Sequence, residues 1–166
     1  MFYAVLALFT AAIVAVDQLT KYLAAAHLAG QTITLVPGWL QLHYITNDGM
    51  ALSLLRGGRW LFVVMTVVYL ALVGYVLVKK WFRKKPELWC VAAITGGAIG
   101  NFIDRIRSGL VIDMICIPWF STFNVADLFI TFGAIIMVVY ILTKDKQLLE
   151  DKPRQPKSEQ PHDTDA

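Results

Sequence analysis

The chain has 166 residues, 57% of them hydrophobic and only 16% charged, with a formal net charge of +3. With a mean hydropathy of +0.59, it carries far more apolar surface than a soluble core of this size can hold, which excludes an ordinary soluble globular domain and indicates an all-α polytopic membrane protein. The cations gather in runs that serve as topology signals and lipid headgroup contacts, so no nucleic-acid partner is expected.

Four stretches are long enough to cross roughly 30 Å of hydrocarbon as helices. The first, about 2 to 26, carries Asp17 and Lys21, spaced so that both lie on one helical face and can neutralise each other. A structural ion pair is the simplest role for these two, with Arg105 as an alternative mate for Asp17. A cleaved signal peptide is the competing reading of this stretch, but Met1-Phe2-Tyr3 lacks the basic start such a peptide needs. Residues 27 to 59 form the larger loop. In it, the alternation of Leu40, Leu42 and Tyr44 against Trp39, Gln41 and His43 predicts a short strand at the membrane surface, and Asn47-Asp48-Gly49 supplies a turn. Met50 to Arg56 can form a short interfacial helix.

The second span, about 60 to 78, is uncharged from Trp60 to Val78. The loop after it holds Lys79, Lys80, Arg83, Lys84 and Lys85. The third span, about 88 to 105, contains Gly96 and Gly100, a spacing that lets two helices approach closely, and ends in Asn101, Asp104 and Arg105. Asp104 is expected as a structural anchor. Residues 106 to 122 form a smaller, apolar loop around Asp113. The fourth span, about 123 to 143, starts with Asn124 and Asp127. From Lys144 onward the composition turns polar and charged, so the expected organisation is a membrane domain over 1–143 and a disordered cytoplasmic tail over 144–166.

Cations in the loop between spans two and three and in the tail, against only Arg56, Arg59 and Arg107 in the other loops, place both termini in the cytoplasm. Parity then puts the end of span one, the end of span three and the start of span four at one depth. Asp17, Lys21, Asn101, Asp104, Arg105, Asn124 and Asp127 therefore form a single layer near the outer face, joined by Asp113 from its loop. Intramembrane acids are costly and by default functional. Two carboxylates a few ångströms apart cannot both ionise, so one can stay protonated while the other draws a proton from water, which is the chemistry of aspartic peptide hydrolysis. Asp113 and Asp127 are the candidates, although acids at helix ends often act only as caps.

Other chemistries lack their residues. The three histidines, His27, His43 and His162, offer neither a zinc helix nor a serine-histidine dyad, and no metal site is expected. Cys90 and Cys116 fall at opposite ends of the third span and its outer loop, and both are expected as free thiols. A small proton-coupled transporter is the rival from another class, but the inner halves of the spans contain no acid to continue a relay. A non-catalytic scaffold is the third possibility.

Asp17-Gln18 with Lys21, Asn47-x-Gly49-x-Ala51, Gly96-Gly97-x-x-Gly100-Asn101-x-x-Asp104-Arg105, Val111-x-Asp113 and Phe123-Asn124-x-Ala126-Asp127 together resemble the ordered motif set of the lipoprotein signal peptidases, the type II signal peptidases of bacteria. The likeness spans nearly the whole membrane portion. Leu52 and Met114 stand where that family usually has an aromatic residue and a phenylalanine. The resemblance implies an aspartic endopeptidase of the bacterial cytoplasmic membrane that removes signal peptides from diacylglyceryl-modified prolipoproteins, cutting just before the lipidated lipobox cysteine. It implies Asp113 and Asp127 as the catalytic pair. Asp17, Lys21, Asn47, Gly49, Asn101, Arg105 and Asn124 would line or support the site. No cofactor is implied; the expected partners are lipidated prolipoproteins and membrane lipids, with the enzyme acting as a monomer.

Overall fold

The computed structural model describes residues 1–48, 58–81 and 84–150, the last six of these by backbone only. Four helices and four strands occur among the described residues, in the order α1 (Phe2–His27), β1 (Thr32–Val36), β2 (Leu40–Asn47), α2 (Arg59–Val78), α3 (Lys85–Arg107), β3 (Val111–Ile117), β4 (Ser121–Phe123) and α4 (Val125–Glu150). Three of the helices, α1, α2 and the Val125–Lys144 part of α4, are long and apolar enough to cross a membrane. The third helix is not among them, because Asn101, Asp104 and Arg105 in its last two turns dilute its apolar run.

The helices bury little and expose much that is apolar. Tyr3, Leu8, Val16 and Leu19 on α1, Val64, Val67, Val68 and Leu72 on α2, and Phe132, Ile135, Ile136 and Val139 on α4 all face outward. A soluble protein rarely shows contiguous apolar surface on this scale, whereas a helix facing lipid must. What α1 does bury is a stripe, Leu6, Ile13, Asp17, Lys21 and Ala24, at the three-, four- and seven-residue spacings of one helical face.

Helix α3 is wedged between α1 and α4, and glycine makes the wedge possible. A Cβ on Gly96 would come within 2.9 Å of the Ile13 side chain of α1, one on Gly97 would run into the Ala126 carbonyl of α4, and one on Gly100 would lie 2.5 Å from the Asp17 carboxylate. Gly96 and Gly100 thus face α1 as their spacing suggests, while Gly97 brings α4 equally close. At the start of α3 the Glu87 carboxylate accepts the Lys84 backbone N–H at 3.2 Å and meets Lys144 of α4 at 3.4 Å. At its other end the chain turns through Gly109, whose φ of +84° suits a residue without a Cβ.

The sheet is larger than expected. Residues 106 to 122, read from the sequence as a loop, contain β3 and all of β4 but Phe123, and β1 adds an edge, giving an antiparallel sheet in the order β1-β2-β3-β4. Asp113 therefore sits on a strand, and the fold is helical, as expected, with a small antiparallel sheet of four strands where the sequence indicated a single short one. Apolar residues crowd both faces of β3, since Met114 packs with Ala24 and Leu28 while Val111, Asp113 and Cys116 are buried too. A strand buried on both faces has no alternation to reveal it. The strand predicted over 39 to 44 is real but starts at Leu40 and extends to Asn47, and its burial does not alternate. At the turns of the two hairpins, Trp39 and Trp119 meet edge-on at 5.5 Å and remain exposed.

Helix α4 carries on to Glu150, seven residues beyond the expected end of the membrane domain at 143. Gly49, the proposed interfacial helix over 50–56, and the tail beyond 150 lie outside the described residues.

Candidate active site

The layer expected from parity exists. The C-terminal half of α1, the C-terminal half of α3, the first turn of α4 and the middle of β3 converge, and among the buried polar residues are Asp17, Lys21, Asn101, Asp104, Asp113 and Asn124. Asp113 is 2% exposed, whereas Asp127 is half-buried.

Strand pairing delivers Asp113. It stands opposite Ile45 on β2, two positions from the Asn47–Val111 pair, so Asn47 is its diagonal neighbour on the same face. Asn47 Nδ2 donates to Asp113 Oδ2 at 3.1 Å, and Asn124 Nδ2 donates to Oδ1 at 2.7 Å. Asp127 is delivered by a helix start. Asn124 Oδ1 accepts the Asp127 backbone N–H at 2.9 Å, and Asp127 Oδ2 accepts the Asn124 backbone N–H at 3.3 Å, a reciprocal capping box. Asp127 is thus a cap, as acids at helix starts often are, and its other oxygen is used elsewhere: Oδ1 accepts from Asn101 Nδ2 at 2.8 Å.

Asn101 and Asn124 close the circuit, with Asn124 Nδ2 also donating to Asn101 Oδ1 at 3.1 Å. The two acids are therefore joined through two amides. They also feel each other directly. Burial pushes Asp113 from the ordinary 3.8 up to about 6; the Asn47 hydrogen bond opposes that rise, the Asp127 charge adds to it, and Asn124 and Lys21 oppose it.

Beneath this pair lies an ionic base. Lys21 Nζ is 2.7 Å from Asp17 Oδ2 and 2.8 Å from Asp104 Oδ2, and donates to Asn101 Oδ1 at 2.9 Å. Asp17 Oδ1 accepts the Ala126 backbone N–H at 2.9 Å, in the first turn of α4, where an anion is favoured. Asp104 Oδ2 also accepts the Ile112 N–H at 3.3 Å, one residue before Asp113. Gln18 spans the two acids, donating to Asp104 Oδ1 at 2.9 Å, to the Gly100 carbonyl at 3.1 Å and to Asp17 Oδ2 at 3.3 Å.

Of the residues singled out from sequence, Asp17, Lys21, Asn47, Asn101, Asp104, Asp113, Asn124 and Asp127 belong to one connected network. Asp17 takes Lys21 as its mate, not Arg105. The Arg105 guanidinium lies 4.7 Å over the Phe62 ring, within electrostatic reach of Asp127, Asp113 and Asp104. Asp104 is more than an anchor, because it ties α1 to the strand that bears Asp113. Gln18 was not singled out as a site residue; its position next to Asp17 was the available signal. Cys90 and Cys116 are buried free thiols away from this network. Among the described residues, no group of three or more His, Cys, Asp or Glu could hold a metal ion.

Known proteins resemble this chain in sequence and fold. The lipoprotein signal peptidase of Listeria monocytogenes serotype 4a (strain HCC23) is 39% identical over 145 residues, covering 84% of this chain and 94% of that protein. The lipoprotein signal peptidase of Enterococcus faecalis (strain ATCC 700802 / V583) is 37% identical over 151 residues, covering 87% and 92%. A bacterial membrane enzyme solved by the in meso method at 2.3 Å resolution superposes with a TM-score of 0.81 and 28% identity, covering 93% of this chain and 95% of that one. With the apolar helices, that likeness makes this a membrane-embedded protein. Residues 9–143 match the model of the peptidase family described as signal peptidase (SPase) II, and the chain belongs to that family of aspartic peptidases.

Proposed function

We propose that Asp113 and Asp127 are the catalytic dyad of an endopeptidase that removes signal peptides from diacylglyceryl-modified prolipoproteins, cleaving just before the lipidated cysteine. The observation that carries this reading is the amide circuit, in which Asn101 and Asn124 connect one oxygen of each acid while Asp127 raises the proton affinity of Asp113. The raised proton affinity of Asp113 lets such a pair keep a proton that a lone carboxylate would lose.

The ionised acid takes a proton from water as its oxygen attacks the scissile carbonyl, and the protonated acid donates to the carbonyl oxygen. As the tetrahedral intermediate collapses, the carbon–nitrogen bond breaks and the departing amine of the lipidated cysteine receives a proton from the dyad. Arg105, permanently charged and close to both acids, offsets negative charge that builds during attack. Asp17, Lys21 and Asp104 are engaged with one another, with Asn101 and with the Ala126 and Ile112 backbone N–H groups, and act as support. Asn47 and Asn124 hold carboxyl oxygens, and Gly49 is assigned to the site on family likeness alone.

The placement in the membrane follows the same logic. Four spans, with α3 as the shielded one, a membrane domain over 1–143, cytoplasmic termini and a site at the outer face of the bacterial cytoplasmic membrane agree with the cation distribution and with the Lys144–Glu87 contact at the end opposite the site. A monomer suffices, since both acids come from one chain. The transporter alternative finds no support in the family.

The test is incubation of purified Asp113→Asn and Asp127→Asn proteins with a fluorescent diacylglyceryl lipobox peptide. Each should lose activity by on the order of 1000-fold or more while remaining inserted and folded. Near wild-type cleavage by either would overturn the dyad.

A further inference from the structure

The named hydrogen-bond partners of the Asp113 and Asp127 carboxylates share one property: all of them donate. Asp113 receives the side-chain amides of Asn47 and Asn124, and Asp127 receives the Asn101 amide and the Asn124 backbone N–H. Asn101 and Asn124 are amides with a donor end and an acceptor end, so this outcome depends on which way each one points. Asn124 is oriented by the helix cap, because its oxygen must accept the Asp127 N–H. Asn101 has no backbone partner for its side chain among these contacts. Its oxygen faces Lys21 at 2.9 Å and Asn124 at 3.1 Å.

We infer that Lys21 is a positioning residue for peptide cleavage. Its ammonium, which can only donate, holds the Asn101 oxygen toward α1 and so commits the Asn101 N–H to Asp127. This deepens the dyad reading and rests on it. The bond from Lys21 is the charge-assisted one of the two on the Asn101 oxygen, and so the stronger. With Asn101 so fixed, a proton on either acid finds no acceptor within the circuit and must lie toward the other carboxylate, water and substrate. A reversed Asn101 would present its oxygen to Asp127, accept that proton in a stable hydrogen bond and withdraw it from the reaction.

Charge alone predicts a different outcome, which makes the idea testable. The groups around Asn101 are Asp17 and Lys21 from α1, Asp104 and Arg105 from α3, Asp113 from β3 and Asp127 from α4. The triple variant Lys21→Met, Asp17→Asn, Asp104→Asn removes one cation and two carboxylates together, so no bare buried charge remains. Local charge changes from −1 to zero, and by Coulomb's law that lowers the basic limb of the pH–kcat/KM profile. Loss of the Asn101 donor acts in the opposite direction, because the carboxylate form of the dyad loses a hydrogen bond.

The assay uses full-length protein and a fluorescent diacylglyceryl lipobox peptide across pH, with folding followed by thermal denaturation. The triple variant should lose kcat by on the order of 10-fold, keep KM, and show its basic limb at higher pH. Asn101→Leu, which leaves Lys21 paired with both carboxylates, should show the same two effects. Should the triple variant not fold, Asn101→Leu decides alone. A wild-type kcat and limb in a folded triple variant or in Asn101→Leu, or a limb displaced to lower pH in the triple variant, overturns the role of Lys21. Activity in Asp113→Asn or Asp127→Asn controls run alongside would instead overturn the dyad.

Discussion

The two ends of α1 are built on opposite rules. Near its start, Leu6 packs with Leu88 and Ala92 of α3, with Phe2 and Phe9 alongside; near its end, Asp17 and Lys21 engage α3 and α4 through ion pairs and hydrogen bonds. In water the first kind of contact would dominate. In lipid, a leucine gains little by leaving hydrocarbon for protein, so apolar packing holds the helices without fixing their register. A buried carboxylate in the same setting has no substitute partner, and every hydrogen bond it makes specifies a position. The polar end is where geometry is decided.

Substitutions at the two ends separate these rules. Asp104→Ala removes the group that ties Lys21 and Gln18 to the N–H before Asp113. It should destabilise by about 3 kcal/mol and lower cleavage as β3 loosens, both measurable by thermal denaturation in detergent beside the peptide assay. Leu88→Ala, equally buried at the other end, should cost only about 1 kcal/mol, the loss of packing without a transfer term, and leave kcat unchanged. A cost for Leu88→Ala equal to that of Asp104→Ala would show that packing sets the geometry after all.

The titration of Asp113 sharpens the contrast. Its folded value near 6 exceeds its ordinary 3.8, so between about pH 4 and 6 the folded state binds the extra proton and Asp113's contribution to stability falls as pH rises. In Asp113→Asn that segment of the stability–pH curve should flatten. Smallest of all, Lys80→Gln on the loop after α2 should leave cleavage untouched and change stability by no more than about 0.5 kcal/mol. A strong loss of activity there would mean that the site faces the cytoplasm.

The residues most legible in the sequence were those whose partners are local or whose cost is high. Asp17 and Lys21 pair along one helix turn, so spacing alone shows it, and span parity is enough to gather Asn101, Asp104, Asn124 and Asp127 at one depth. The capping box from Asn124 to Asp127 is likewise visible three residues apart. Strand β3 was not, because Ile112, Met114, Ile115 and Ile117 surround Asp113 without alternation, and its identity depends on pairing with β2, some seventy residues earlier in the chain. Gln18 and Asp104 were undervalued for a related reason: they meet each other only across the α1–α3 contact. Gly97 stood in the motif set without a packing role, because its partner is a backbone carbonyl on another helix, which no residue type reports.

The seating of Gly97 against the Ala126 carbonyl, a residue before Asp127, bears on how the enzyme withstands its solvent. Bilayers thin, thicken and tilt the helices within them. Helix α3 meets the opening turn of α4 at Gly97 with no side chain between them, and Asp104 on the same helix holds the strand of Asp113. Asp113 and Asp127 are thus both fastened to α3, so a tilt of that helix should carry them together rather than slide one past the other.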